Sequence, residues 1–273
     1  MGKGTLGRVL NPILLCVYAL FTLYPFFWMI LMSFKSDAQM FTTIYVFSPT
    51  LGNYRDIFMN SDYLNTLFNS LVVSVCAVGL SVVIGLPAAY ALSRFKFRAR
   101  ENIAFTFLSF RFAPAMLIII PLFVIYQRLG LYDTYTGLIW VLQLITLPFF
   151  IWILRSYLED VSPDLEHAGA IDGYNRLQIF MKIFLPLIRP GLVAATLLIF
   201  IFAWNAFTLP LLLSNNVSQT VTVQIMQMMG GGFTVHYGVL AAGAVISALP
   251  EIALTVLIQK HLVRGLSLGA VKG

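Results

Sequence analysis

Apolar runs about 20 residues long, recurring along the whole sequence, constrain this chain more than any other feature. A run of that kind repeated several times cannot be hidden inside a water-soluble domain. In hydrocarbon every backbone N–H and C=O must be satisfied within the chain itself, which a helix does for each run separately. Composition agrees, since 59% of the residues are apolar and 10% charged, against about a quarter charged in ordinary soluble domains. The expected fold is an all-α, polytopic membrane helical bundle in one piece, with no linker and no second domain.

Six spans are predicted: Leu10 to Met32, Thr66 to Leu92, Ile103 to Tyr126, Tyr135 to Leu154, Gly191 to Leu213, and Tyr237 to Ile258. At about 1.5 Å per residue each can cross a hydrocarbon core of about 30 Å. Lys3 and Arg8 precede the first run in the manner of a signal peptide. That run is too long for one and lacks a small-residue cleavage site, so a retained span is expected.

The net charge of +6 does not point to nucleic acid, because the basic residues form no stripe and fall in the gaps between apolar runs. With the N-terminus cytoplasmic, the inner segments hold Lys3, Arg8, Arg94, Lys96, Arg98, Arg100, Arg155, Arg176, Lys182, Arg189, Lys260, Arg264 and Lys272. The outer loops hold only Lys35, Arg55 and Arg128. That asymmetry places both termini in the cytoplasm and leaves Arg111 inside the third span. Cys16 and Cys76 lie in apolar runs as small hydrophobes, and His167, His236 and His261 show no metal-ligand spacing.

The inner loop from Glu159 to Ile188 is long for a connection in a compact protein, and such loops usually have a task. Ser162, Pro163 and Asp164 read as an N-cap, a first-turn proline and an acid favourable to the helix dipole. Gly173 is placed to end that helix. A second helix fits Asn175 to Leu185, with Leu177, Phe180, Met181 and Phe184 on one face and Pro186 expected to stop it. That apolar face fits either the chain's own cytoplasmic helix ends or the groove of another protein.

His167-Ala168-Gly169, Gly173, Ile183, Leu185 and Pro186 resemble in spacing the Glu-Ala-Ala, Gly, Ile-x-Leu-Pro loop of bacterial ABC importer permeases. Other pieces are similar to the carbohydrate-uptake branch of that family, that of the maltose permease component G. They are Arg111 to Pro114 with Ile120-Pro121-Leu122, Leu129 to Leu138, Leu147-Pro148-Phe149, Ile171-Asp172-Gly173, Trp204-Asn205, Ala248-Leu249-Pro250 and the ending Arg264 to Gly273. The resemblance runs from the third span to the last residue. It departs at Glu166-His167-Ala168-Gly169, where Glu-Glu-Ala-Ala is usual, so His167 occupies the motif's glutamate position and Glu166 is left to make the expected salt bridge to an ATPase. Ala206 follows Trp204-Asn205 where an acid is common.

The resemblance implies a type I ABC importer permease-like subunit in the bacterial inner membrane, importing a carbohydrate-type solute. It implies one permease domain over 1–273, containing a coupling loop at 159–188 and a cytoplasmic tail at 263–273. Glu166, His167, Ala168, Gly169, Asp172, Gly173, Ile183, Leu185 and Pro186 would meet the ATPase, and Gly269, Ala270 and Lys272 of the tail would reach it too. The implied partners are a second, usually different, permease subunit, two cytoplasmic ATPase subunits and an extracytoplasmic binding protein, met by the outer loop from Ser214 to His236. The sequence has no G-x-x-x-x-G-K-[ST] phosphate cradle, so ATP and Mg would be held by the partner ATPase and no cofactor by this chain.

Within the spans, Trp204 and Asn205 suit sugar recognition, ring to apolar face and amide to hydroxyl, with Gln143 and Thr146 as lesser candidates for the pathway. Arg111 and Glu251 are charges deep in spans, costly toward lipid and able to pair with each other, although ties to backbone freed near Pro114 and Pro250 would also account for them. No catalytic set of serine, histidine and acid is present. The alternative is a stand-alone secondary transporter or channel, which would be expected to carry an internal repeat and midplane ion-coupling groups; neither is found.

Overall fold

The structure is a computed structural model. It describes residues 3–41, 45–59, 61–112, 115–230 and 235–269, with the side chains of 3–10, 61, 110–116 and 260–269 outside the description. Among the described residues there are only helices and connections, and five helices are long and apolar enough to cross a membrane. The chain divides into two compact units, 1–65 with 224–249, and 66–223 with 250–273.

The first unit contains α1 (Lys3–Ser33), a 3₁₀ turn (Asp37–Gln39), α2 (Gly52–Met59), and parts of α3 (Ser61–Arg94), α11 (Val221–Gly230) and α12 (Tyr237–Gly269). Its helices are held by polar side chains that donate to backbone carbonyls. Asn53 Nδ2 donates to the carbonyls of Ser33 and Lys35, both at 2.8 Å, and Tyr63 Oη donates to the Gly243 carbonyl at 2.5 Å. Lys35, outside the first span, is fully buried, with its ammonium 4.8 Å from the Trp28 ring centre and 5.4 Å from that of Phe47. Two electron-rich ring faces thus stand against the cation in place of water.

The second unit contains the rest of α3, then α4 (Arg100–Phe112), α5 (Ala115–Leu129), α6 (Tyr135–Glu159), α7 (Asp164–Ile171), α8 (Arg176–Ile179), α9 (Leu185–Trp204) and α10 (Thr208–Leu213). Its centre is α6. Gly191 lets α9 approach so closely that a Cβ there would stand 2.4 Å from the Tyr157 ring, and Gly85 does the same for α3 against Phe150, at 2.6 Å. At the inner end Arg155 binds Glu101 (2.6 Å) and Glu159 (2.8 Å), and Arg100 binds Glu159 (2.7 Å), lashing α4 to α6. The hydrogen bond from Arg155 is the main reason the Glu101 carboxyl sits below its ordinary range.

Two of the expected boundaries are corrected, those of the fifth and sixth spans. In the third span α4 is described to Phe112 and α5 from Ala115, with residues 113 and 114 outside the described residues. The fifth span ends at Trp204, with a break before α10, and does not run to Leu213. At the C-terminus α12 continues to Gly269, so the glycine-rich tail expected from residue 263 is helical at least that far, while Ala270 and Lys272 lie outside the described residues.

The outer face of the second unit is ordered by one acid that the sequence reading did not single out. Asp133 adopts φ 53°, and its carboxylate accepts from the backbone N–H of Asn215 (2.8 Å), Val217 (3.1 Å) and Ser218 (2.9 Å) and from Ser218 Oγ (3.0 Å). Asn69 Nδ2 donates to the carbonyls of Val217 and Gln219, and Ser70 Oγ accepts from Val221 N–H. The outer connection is therefore pinned at 215–221 before α11 begins. Partial burial would raise the Asp133 carboxyl, but the three N–H donors and the serine hydroxyl outweigh it and hold it low. Because the folded value is depressed, this stabilisation is complete above the unfolded value of about 4 and is lost as pH falls through the folded one. The Asp133→Ala protein is expected to melt below wild type at pH 7, with the gap closing below about pH 4, as read by thermal unfolding in detergent across pH 3–7.

Candidate coupling loop and intramembrane site

The inner loop is built from local backbone chemistry. Ser162 Oγ accepts from Asp164 N–H at 3.2 Å just ahead of α7, but the N-cap position falls on Pro163, one residue later than expected, and carries no side-chain cap. At the other end Gly173 N–H donates to the Ala170 carbonyl (3.1 Å) and Tyr174 N–H to that of Gly169 (3.0 Å), with Gly173 at φ +81°. This is the paired C-terminal closure that a left-handed residue permits, and glycine adopts that conformation without a Cβ penalty. Asp172 is the C-cap. Asn175 then opens α8 with a reciprocal capping box, its side chain accepting from Gln178 N–H while Gln178 Oε1 accepts from Asn175 N–H, both at 2.9 Å.

Pro186 does not stop the second helix as expected. Leu185 N–H bonds to the Phe180 carbonyl five residues back, and Phe180–Phe184 forms a π-helical turn. The widened turn replaces the four-residue register in which a proline ring meets a carbonyl, and Pro186 falls at the start of α9, where proline is tolerated. Arg176 to Trp204 is thus helical without interruption.

The apolar face of this helix is divided. Ile179 and Phe184 are buried, and Phe180 and Phe184 pack their rings 4.8 and 5.5 Å from Tyr90 of α3. Gly169 is buried against Ile183 and Ile179, where an added Cβ would stand 2.6 Å from Ile183 Cδ1. Glycine in place of the family's alanine therefore brings α7 down onto the second helix. Ile171 (87% exposed), Leu177 (69%) and Met181 (51%) face outward, as do His167 and Ala168, while Glu166 is half-buried. Of the two readings of the apolar face, each holds for part of it.

In the membrane the structure pairs Asn205 with Glu251. Asn205 caps α9, its Nδ2 donating to the Ile201 carbonyl at 3.0 Å and to Glu251 Oε1 of α12. The expected Arg111 to Glu251 pairing is not tested, because the Arg111 side chain lies outside the described residues. Trp204 is buried, stacked on Phe200 at 5.8 Å. Gln143 and Thr146 are buried too and close a three-member network, with Ser81 Oγ 2.7 Å from Gln143 Oε1 and 2.7 Å from Thr146 Oγ1, and Gln143 Nε2 donating to the Ala77 carbonyl at 3.0 Å. These two side chains join α6 to α3. Gln143→Leu is expected to lower stability by about 1 kcal/mol while leaving the solute's half-saturation concentration unchanged in an uptake assay. A changed half-saturation concentration would return Gln143 to the solute pathway.

Fold and site together define a multi-pass α-helical membrane protein with a capped helix–glycine–helix loop at its inner face. Residues 81–268 match the binding-protein-dependent transport system inner membrane component family, and the chain belongs to it. The chain is 34% identical to the trehalose/maltose transport system permease protein MalG of Thermococcus litoralis over 100% of both chains. It is 34% identical to the trehalose transport system permease protein SugB of Mycobacterium tuberculosis over 93% of each. Among solved structures it superposes on a chain of a bacterial ABC transporter involved in the import of the acidic polysaccharide alginate, with a TM-score of 0.79, 26% identity, and 96% of this chain and 98% of that chain covered. The protein is a multi-pass inner-membrane permease component of an ABC importer.

Proposed function

We propose that this permease carries a carbohydrate-type solute inward, driven by ATP and Mg²⁺ held on separate ATPase subunits. The observation that carries the proposal is the inner loop: two short helices joined by a turn at Gly173, with Ile171, Leu177 and Met181 left outward. An exposed apolar helix face beside Glu166 and His167 is what a groove on an ATPase would cover. Ala168, Gly169, Asp172, Ile183, Leu185 and Pro186 shape that element.

The arrangement comprises this chain, a second permease subunit of different sequence, two ATPase subunits and an extracytoplasmic binding protein. The tail at Gly269, Ala270 and Lys272 makes a second contact with the ATPase. Trp204 and Asn205, beside Glu251 at the break after α9, lie on the solute pathway, where an amide held by a carboxylate can turn toward sugar hydroxyls. ATP-driven closure of the ATPase pair acts as a two-state switch, biasing the spans toward an outward-open state. Support for a sugar rather than another solute comes from the relatives, whose names refer to trehalose, maltose and alginate.

The test has two arms. Tagged chain isolated in mild detergent should bring an ATPase with it, and cells expressing the complete transporter should accumulate labelled disaccharide in a binding-protein-dependent way. Isolation of intact chain without an ATPase defeats the energy-coupling reading. An ATPase stimulated by amino acids and by no saccharide defeats the carbohydrate reading alone.

A further inference from the structure

A second feature lies at the root of the inner loop, and its lining includes Glu166 and His167, which the proposed function places at the ATPase contact. Between the end of α3, the start of α4 and the α7–α8 turn is a cavity of about 790 Å³, within the range of about 300–1,000 Å³ usual for small-ligand sites. Arg94, Lys96, Arg100 and Arg176 line it, with Glu166 as the single carboxylate and His167 at its edge. Arg100 is already paired with Glu159 and Glu101, which leaves Arg94, Lys96 and Arg176 against Glu166 and a positive concavity, and low-dielectric walls strengthen such a field.

The hydrogen-bond inventory points to the same place. Among the described residues the buried side-chain polar atoms without a hydrogen bond are Tyr90 Oη, Arg94 Nε and Arg100 Nε, the last still 3.4 Å from Glu101 Oε1. Two of the three belong to the cavity lining, and Tyr90 packs against Phe95 and Phe180 beside it. Native proteins leave few such groups unsatisfied, and each calls for an explanation such as a bound ion. Arg94 spends its Nη2 on the Leu158 and Val161 carbonyls (2.7 and 2.6 Å) and lies over the Phe184 ring, so its guanidinium is fixed while Nε stays unused. Arg176 is likewise set over the Phe95 ring, 5.1 Å from its centre. Held arginines with donors to spare are suited to oxyanions.

Position narrows the ligand. The cavity sits where α3 ends and α4 begins, at the cytoplasmic ends of two spans, the level of lipid headgroups. Basic pockets between spans on that side recognise anionic head groups. We infer that this cavity is a phosphate-recognising site, in which Arg94, Lys96 and Arg176 hold a phosphate group at the root of the inner loop. The phosphate belongs either to an anionic phospholipid headgroup or to a soluble phosphate. Its occupancy would brace the α7–α8 turn against α3 and α4.

The experiment uses the full-length chain isolated with its accompanying subunits in neutral detergent, titrated calorimetrically with dihexanoyl phosphatidylglycerol and, separately, with inorganic phosphate. Saturable binding is expected, weakened about thirtyfold in a Lys96→Gln/Arg176→Gln double variant and restored by Lys96→Arg/Arg176→Lys. Lys96 is exposed, so Lys96→Gln alone provides a folded control and should weaken binding by a smaller factor of about five. Phosphatidylglycerol binding with phosphate silent identifies a lipid site; phosphate binding with phosphatidylglycerol silent identifies a soluble anion. If neither ligand binds, or the variants leave binding unmoved, the inference is wrong. It is equally wrong if wild type binds neither anion and the double variant instead sheds the accompanying ATPase, which would make the cavity a protein-docking surface.

Discussion

Gly173→Val should reduce uptake more than tenfold and release the accompanying ATPase, while Gly173→Asn should retain most of both. The φ of Gly173 is +81°, and nothing stands within 4 Å of the Cβ a substitution would add. Lost space is therefore not the cause, and the effect is confined to the backbone. An L-residue in the left-handed region costs about 1–2 kcal/mol, and a β-branched one is a marked outlier there. Asparagine visits that region far more readily. Valine would trade the closure made by Gly173 and Tyr174 N–H for a strained turn, misplacing α7 relative to α8. The measurement is uptake and co-isolation at matched membrane levels of both variants. If asparagine fails as badly as valine, side-chain contact with a partner, rather than turn geometry, governs the position.

The second large effect is expected at the opposite face. Gly137→Ala should cost about 3 kcal/mol or more, seen as a lowered melting temperature and poor recovery of monodisperse protein in detergent. A Cβ at Gly137 would stand 2.1 Å from the Leu131 carbonyl oxygen and 3.0 Å from Thr134 Oγ1. Main chain cannot give way as a side-chain tip can. That carbonyl also accepts from Thr134 Oγ1 at 2.8 Å, Thr134 Oγ1 caps α6 through Gly137 N–H at 3.0 Å, and the Gly137 carbonyl accepts from Tyr126 Oη at 3.1 Å. One methyl group would disturb the start of the central helix and the neighbouring Asp133 junction together. A wild-type melting temperature for Gly137→Ala would mean that the Leu131 turn has slack the packing does not reveal.

Features set by nearby residues were legible before the structure. Gly173 and Asn175 each dictate a backbone state within three or four positions, and the turn and second helix start emerged from them as written, while the cap expected at Ser162 fell one residue later, on Pro163. Pro186 was misread because the rule against interior proline assumes the four-residue register, and nothing in Phe180–Phe184 announces a five-residue one. Span prolines are weak guides to helix ends, since Pro87, Pro148 and Pro250 lie inside continuous helices. Gln143 and Thr146 suggested a pathway by their polarity. In a span that is apolar on every side, sequence does not reveal which face meets a neighbour, and Ser81 stands 62 residues from Gln143. Asp133 was missed for the same reason, since its partners lie 82 to 85 residues away. An aspartate just before the Thr134 helix cap was the one local hint.

The uninterrupted helix from Arg176 to Trp204 has a mechanical consequence. A helix of 29 residues, about 43 Å at 1.5 Å per residue, joins the inner loop to Asn205, with Pro190 and the wide turn as the two places where it can bend. A tilt at one end is carried along the helix toward the other. The wide turn at Phe180–Phe184 does not interrupt this shaft; it sets its phase. Deleting one residue there would swing everything toward the loop by about 100° relative to α9, uncoupling the two ends while leaving each intact.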